Sequence, residues 1–139
     1  MNQYRISDLS VGMRESFKRI ITDDMMKMFL SITGDANPLH NNIVYAKEQG
    51  FKDRIVYGML SASLISTMGG CYLPGMYCLI QGVEVRFAKP VYIGDELTVK
   101  GEISKVDMDL KYIEVKINVL NQKSEKVLRG ILKAGVIDE

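Results

Sequence analysis

The hydrophobic residues of this chain change their spacing after Gly75, from a helical period to the alternation of strands. The pattern of residues 14–21 indicates a short strand, and residues 22–34 then repeat apolar side chains every three or four positions. The repeating set is Met25, Met28, Phe29 and Ile32. It predicts a helix that begins after Thr22 as its N-cap, ends at Gly34, and turns these four side chains toward a core or a pocket.

The next segment, residues 35–57, is polar and is interrupted by Pro38. It predicts one short helix, which begins either at Asn37 with Pro38 in the first turn or at Asn42. Gly50 would end the helix in both cases.

A buried helix is predicted from Gly58 to about Thr67, because residues 59–68 are apolar on nearly every face. Its small polar residues would then need hydrogen-bond partners inside the protein. These residues are Ser61, Ser63, Ser66 and Thr67. The glycine pair at 69 and 70 predicts a clean end to the helix.

From residue 80 onward the chain alternates apolar and polar positions, with breaks at Lys89–Pro90 and Gly94–Asp95. The clearest strand is residues 111–122, where one face carries Ile113, Val115, Ile117 and Val119. Residues 125–137 predict a last strand. An antiparallel sheet curled around one buried helix would cover every apolar face, so the predicted fold class is α+β, with residues 1–139 forming a single domain.

Composition excludes several classes of function. The chain has 139 residues, 47% of them hydrophobic, and a formal net charge of +1, so neither nucleic acid nor an anionic membrane is an expected partner. We expect neither a signal peptide nor a membrane span, because no apolar run is long enough. Cys71 and Cys78 have no metal-ligand or disulfide spacing, which favours free thiols in a reducing cytoplasm.

The candidate chemistry lies in "TGDANPLH", which contains the only histidine of the chain, His40. In a continuous helix Asp35 and His40 would point roughly 140° apart, and Pro38 disfavours such a helix. The segment must therefore turn, and a turn can bring the carboxylate and the imidazole toward one point. Such a pair can polarise a water molecule and move its protons. The same residues also suit an ordinary surface turn, so spacing alone does not decide between the two.

The segment resembles the hydratase motif of the MaoC-like (R)-specific enoyl-CoA hydratases, which has the form G-D-x-N-P-[LIV]-H-x5-A. The matching residues are Gly34, Asp35, Asn37, Pro38, Leu39, His40 and Ala46. A later "GML" and the segment "FAKPVYIGDELTV" match as well, and the resemblance extends over residues 8–136.

The resemblance implies a hot-dog fold, in which an antiparallel sheet wraps a central helix, and a homodimer or higher homo-oligomer joined edge to edge. It implies reversible hydration of trans-2-enoyl thioesters to (R)-3-hydroxyacyl thioesters. Asp35 and His40 would hold the catalytic water, and the N–H of Gly58 would bind the thioester oxygen. Ser66 would orient Asp35, and Asn37 would shape the loop. No cofactor is implied, since coenzyme A or acyl carrier protein is part of the substrate.

One position departs from the family, which has histidine where this chain has Tyr57. Tyr57 either lines the site or contacts the substrate and changes the accepted acyl group. Arg86 and Lys89 are candidates for binding the phosphates of coenzyme A. Three alternatives remain open: a dehydratase acting on acyl carrier protein or in a specialised pathway, a non-catalytic hot-dog subunit, and a thioesterase.

Overall fold

The computed structural model describes residues 1–138 and contains one antiparallel sheet of five strands in the order β1-β3-β4-β5-β2. The strands are β1 (Arg14–Ile20), β2 (Cys78–Phe87), β3 (Glu96–Asp107), β4 (Tyr112–Leu120) and β5 (Lys126–Val136). The helices are α1 (Asp23–Thr33), α2 (Pro38–Asn41), α3 (Ile43–Glu48) and α4 (Gly58–Thr67). This arrangement confirms the predicted α+β class and the antiparallel sheet.

The core lies between the sheet and α4. The predicted inward face of β4 is confirmed, since Ile113, Val115, Ile117 and Val119 are each at most 1% exposed. The helical segment approaches the sheet at two glycines, where a Cβ atom would lie 2.7 Å from the Met68 sulfur (Gly101) and 3.1 Å from Cδ1 of Ile65 (Gly130). The helical segment therefore packs against the sheet at positions where the strands carry no side chain.

The central helix differs from its prediction in two respects. Met59, Ser63 and Ser66 are exposed, because α4 packs on the sheet with one side only, and Ser63 Oγ donates to the carbonyl of Leu60 at 2.6 Å. The glycine pair does not end the helix, which continues as a π-helical turn over Met68–Tyr72. A Cβ atom on Gly69 would lie 2.7 Å from Cδ2 of Leu132, so this glycine serves close packing instead.

Helix α1 has the predicted ends and part of the predicted inward face, since Met25 and Phe29 pack against the core. The Thr22 hydroxyl accepts a hydrogen bond from the N–H of Met25, and Gly34 is left-handed with φ of 70°. Met28 and Ile32 are 62% and 81% exposed, so the prediction that they face a core or pocket is wrong. Met26 is buried as well, at 2% exposure, so the buried face of the helix is rotated toward Met26 relative to the predicted face.

The segment after α1 contains two short helices where one was predicted, because both candidate caps are used. The side chain of Asn37 accepts a hydrogen bond from the N–H of Leu39 and begins α2. The side chain of Asn42 accepts one from Tyr45 and begins α3. Within residues 1–138 no helix has the length and apolar character required to cross a bilayer.

An ion pair fastens α1 to the segment that leads into α4. Nη2 of Arg54 lies 2.9 Å from Oδ1 of Asp23 in the first turn of α1. This hydrogen bond holds the pKa of Asp23 below its usual value, and the nearby Lys27 acts in the same direction. A lowered folded-state pKa means that the carboxylate stabilises the fold only while it is ionised.

We expect Gly130→Ala to destabilise the protein by about 1–3 kcal/mol, the usual cost of overpacking. Its Cβ atom would lie 2.6 Å from the backbone carbonyl oxygen of Glu84, which cannot rotate away. Urea unfolding measures the change. Gly82→Ala is the control, because its nearest contact would be an ordinary 3.7 Å, and equal midpoints for the two variants would contradict the packing argument.

We expect Asp23→Asn to lower the urea midpoint at pH 7. The difference from wild type should shrink as the pH falls below about 4, where the wild-type carboxylate becomes protonated as well. Urea unfolding from pH 7 to pH 3 checks this. Asp24→Asn is the control, since among residues 1–138 Asp24 has no ion-pair partner. A deficit of the same size at pH 7 and pH 3 would exclude the ion pair as its cause.

Candidate active site

Asp35 lies just beyond α1, on a loop fixed by short-range hydrogen bonds. Its N–H donates to Oγ1 of Thr33 at 3.1 Å, and its Oδ1 accepts from the N–H of Asn37 at 3.2 Å. Within residues 1–138 its second oxygen, Oδ2, has no hydrogen-bond partner, and the side chain is exposed. The loop therefore orients the carboxylate and leaves one oxygen available to bind water or substrate.

His40 lies on α2 and is half-buried. Its Nδ1–H donates to the carbonyl of Ile55 at 2.8 Å, so in the neutral ring Nε2 carries no proton and can act as a base. The carbonyl is held in place because the N–H of Ile55 donates to Leu39 at 3.1 Å and that of Val56 to Val91 at 2.7 Å. The extended segment before α4 thus sets the tautomer of the imidazole.

Gly58 is the first residue of α4 and offers a free backbone donor. The first bonds of the helix run from Leu60 and Ser61 to the carbonyl of Tyr57. Among residues 1–138 no acceptor is found for the N–H of Gly58 or Met59, and a helix N-terminus with free N–H groups stabilises negative charge. A Cβ atom on Gly58 would lie 3.1 Å from the ring of Phe87, which explains why the position suits glycine.

Tyr57 is almost fully buried, at 1% exposure. Its hydroxyl donates to the backbone carbonyl of Asp35 at 2.6 Å and accepts from Nδ2 of Asn41 at 3.1 Å. Its ring centroid lies 4.1 Å from that of His40 and 4.7 Å from that of Phe29. The residue that replaces the family's histidine therefore contacts both members of the candidate pair.

Two adjoining cavities meet at His40, Gly58 and Phe87. The first, of about 500 Å³, also includes Asp35 and Tyr57 in its wall. The second, of about 340 Å³, is mainly apolar. Its apolar wall includes Phe51, Ile55, Val56, Val91, Val127 and Leu128. The structure thus brings Asp35, His40, Gly58 and Tyr57 together on one cavity.

This combination of groups can carry out acid–base chemistry on a bound molecule. The unprotonated nitrogen of His40 and the free oxygen of Asp35 can accept protons or hydrogen bonds from water. The N–H of Gly58 can donate to an oxygen that gains negative charge during the reaction. Within residues 1–138 no three His, Cys, Asp or Glu side chains converge as a metal site requires.

The structure does not bring Ser66 to Asp35. Ser66 lies eight residues beyond Gly58 on α4, which is about 12 Å along the helix axis. It is exposed, and within residues 1–138 its hydroxyl makes no hydrogen bond with Asp35 or with the backbone of its own helix. The N–H of Asn37 contacts the carboxylate instead.

Neither candidate for phosphate binding offers a free charge at this site. Lys89 borders the 340 Å³ cavity, but its ammonium group is paired with Glu125, and this hydrogen bond holds the pKa of Glu125 below its usual value. Arg86 points to the other face of the sheet, because its neighbour Val85 pairs with Gly130, which faces α4. Arg86 lines a separate cavity there.

Sequence reasoning missed Phe87, which is 54% exposed and borders both cavities. The signal was present, since this phenylalanine begins the segment "FAKPVYIGDELTV" that matches the family. Phe51 and Met59 also line the cavities. Their places could not be found from spacing, because they depend on how α4 and the segment before it pack against the rest of the chain.

Comparison with known proteins identifies relatives of this chain. 3-Hydroxybutyryl-CoA dehydratase of Methylorubrum extorquens is 37% identical over 99 residues, which cover 71% of this chain and 63% of that protein. (R)-specific enoyl-CoA hydratase of Aeromonas caviae is 30% identical over 122 residues, which cover 88% of this chain and 91% of that protein.

A solved structure agrees with these sequence relatives. The unliganded R-hydratase PhaJ1 of Pseudomonas aeruginosa superimposes with a TM-score of 0.89 at 31% identity, covering 97% of this chain and 86% of that one. The match confirms the predicted hot-dog fold. A family model described as "MaoC like domain" matches residues 10–126, and the chain therefore belongs to the MaoC-like domain family.

Proposed function

We propose that this protein is a hydro-lyase that reversibly adds water to trans-2-enoyl-CoA thioesters to form (R)-3-hydroxyacyl-CoA thioesters. The observation that carries the proposal is the meeting of three groups on one cavity: the free oxygen of Asp35, the unprotonated nitrogen of His40 and the free N–H of Gly58. The activities named for the Methylorubrum and Aeromonas relatives belong to the same reaction class.

In the proposed reaction, Asp35 and His40 hold a water molecule between them and take a proton from it as its oxygen bonds to C3. The electrons of the C2–C3 double bond move toward the thioester carbonyl, whose oxygen becomes negatively charged. The N–H of Gly58 donates to this oxygen and stabilises the charge. The pair then returns a proton to C2, so that one water molecule is added in total. The reverse sequence is the dehydration.

The apolar cavity of about 340 Å³ is the proposed site of the acyl chain. It adjoins the catalytic groups at Gly58, and its wall of aliphatic and aromatic side chains favours an alkyl group over a polar one. Coenzyme A is the proposed carrier, because both named relatives are named for CoA thioesters. No further cofactor is required by this chemistry.

We propose further that the protein is a homodimer joined through the β2 edge. Within residues 1–138 β2 pairs only with β5, so its other edge is open along ten residues. This edge strand exposes Leu79, Ile80, Val83 and Phe87. An open apolar edge of this length favours pairing with another strand, whereas the opposite edge, β1, exposes mainly charged residues.

The free thiols of Cys71 and Cys78 support our proposal of a cytoplasmic location.

We expect Asp35→Asn and His40→Ala each to reduce kcat on crotonyl-CoA by a factor of about 100 or more, as for the loss of a general acid–base group. Loss of the absorbance of the conjugated thioester measures hydration. Asp24→Asn, an exposed carboxylate on α1, is the matched control and should retain the wild-type rate. Full activity in either site variant would exclude the proposed pair. Release of free coenzyme A without hydration would indicate a thioesterase.

We expect Val83→Lys to convert the dimer to a monomer, because a charge on the β2 edge opposes strand pairing. Analytical ultracentrifugation measures the mass. The same substitution at an exposed position of the other edge strand, Ser16→Lys, is the control and should leave the dimer intact. A wild-type protein that sediments as a monomer, or a Val83→Lys variant that stays dimeric, would exclude the β2 interface.

A further inference from the structure

We infer that Tyr57 is the positioning residue that fixes Asp35 and His40 relative to the free N–H of Gly58. This inference rests on the proposed hydratase function and adds to it the residue that sets the geometry of the reacting groups. The role belongs to this chain's own tyrosine, since it depends on a hydroxyl that reaches a backbone carbonyl.

The buried side chain of Tyr57 contacts several elements of the site. The hydroxyl of Tyr57 bonds to the loop after α1 through the Asp35 carbonyl, and to α2 through the amide of Asn41. The ring packs between Phe29 of α1 and His40 of α2. A buried hydroxyl requires partners, and here both of them belong to residues 35–41, the segment that carries the candidate pair and is called the catalytic loop below.

The hydrogen bond from Tyr57 leaves the carboxylate of Asp35 free. Tyr57 donates to the backbone oxygen and not to the carboxylate. The loop is therefore held while the carboxylate keeps its free oxygen and its negative charge for the reaction. A hydrogen bond to the carboxylate itself would have competed with the water that Asp35 is proposed to hold.

Tyr57 is also linked covalently to α4. Tyr57 directly precedes Gly58, and its carbonyl accepts the first hydrogen bonds of α4 from Leu60 and Ser61. The backbone of this residue therefore begins the helix, and its side chain holds the catalytic loop. One residue thus sets the distance between the acid–base pair and the donor to the thioester oxygen.

This role predicts a specific kinetic change. A small displacement of reacting groups lowers the rate of the chemical step and leaves most substrate contacts in place. Tyr57→Phe keeps the ring and removes only the hydroxyl. We expect its kcat on crotonyl-CoA to fall by about tenfold or more, with KM within about twofold of wild type. Tyr45→Phe on α3 is the matched control, because among residues 1–138 its hydroxyl has no bonded partner.

A double-mutant cycle separates positioning through Asp35 from a general loss of structure. In the Asp35→Asn background, Tyr57→Phe should cause a smaller loss of kcat than in the wild type, because one of the two groups that it positions no longer takes part. An unchanged kcat in the single variant, or an equal loss in both backgrounds, would overturn the inference.

If Tyr57→Phe does not fold, Asn41→Ala removes the other bond to the hydroxyl and should lower kcat by about threefold or more. An unchanged kcat in that variant would overturn the inference as well.

Hydrogen exchange distinguishes failure of this inference from failure of the proposed function. The loop amides of Asp35, Asn37 and His40 are hydrogen-bonded, so release of the loop exposes them to solvent. We expect exchange in residues 34–42 to accelerate by about tenfold or more in Tyr57→Phe and to remain unchanged in Tyr45→Phe. Faster exchange with a wild-type protein inactive on crotonyl-CoA would reject the hydratase proposal and keep the loop-holding role. Unchanged exchange would overturn the inference whatever the activity.

Discussion

The burial of α4 against the sheet is the constraint on which the rest of this structure depends. Ile65 and Met68 lie over Gly130 and Gly101, where the strands carry no side chain to keep the helix away. Removing these apolar groups from water fixes the helix axis, and the fixed axis determines where its first turn opens. The free N–H of Gly58 is therefore a rigid point of the molecule, and the remaining site groups are arranged around it.

The other groups of the candidate site lie on short polar segments that would not be stable on their own. Residues 55–56 are hydrogen-bonded on one side to α2 and on the other to Val91. His40 uses the same segment to fix its tautomer, and Tyr57 carries the bond to Asp35. A single turn of helix such as α2 has little stability of its own, so these tertiary bonds keep the imidazole and the carboxylate on one cavity.

The open edge of the sheet lies next to the candidate site. β2 leaves apolar side chains exposed, and the last of them, Phe87, also borders both cavities and lies against Gly58. Any chain that pairs with β2 would therefore lie beside the two cavities of the candidate site. Met59, on the exposed side of α4, also lines the cavity that contains Asp35 and His40, so an exposed residue of the helix borders the candidate site as well.

The sequence by itself determined the features that act over a few residues. The cap at Thr22, the left-handed Gly34 and the alternation of β4 are local preferences, and the motif around Asp35 and His40 marked the site. Only the tertiary structure decided that Met28 is exposed and that, among residues 1–138, Ser66 makes no hydrogen bond with Asp35. It also decided the bond between Tyr57 and the Asp35 carbonyl, 22 residues apart. Such contacts depend on how separate segments pack against one another, which the spacing of residues along the chain does not encode.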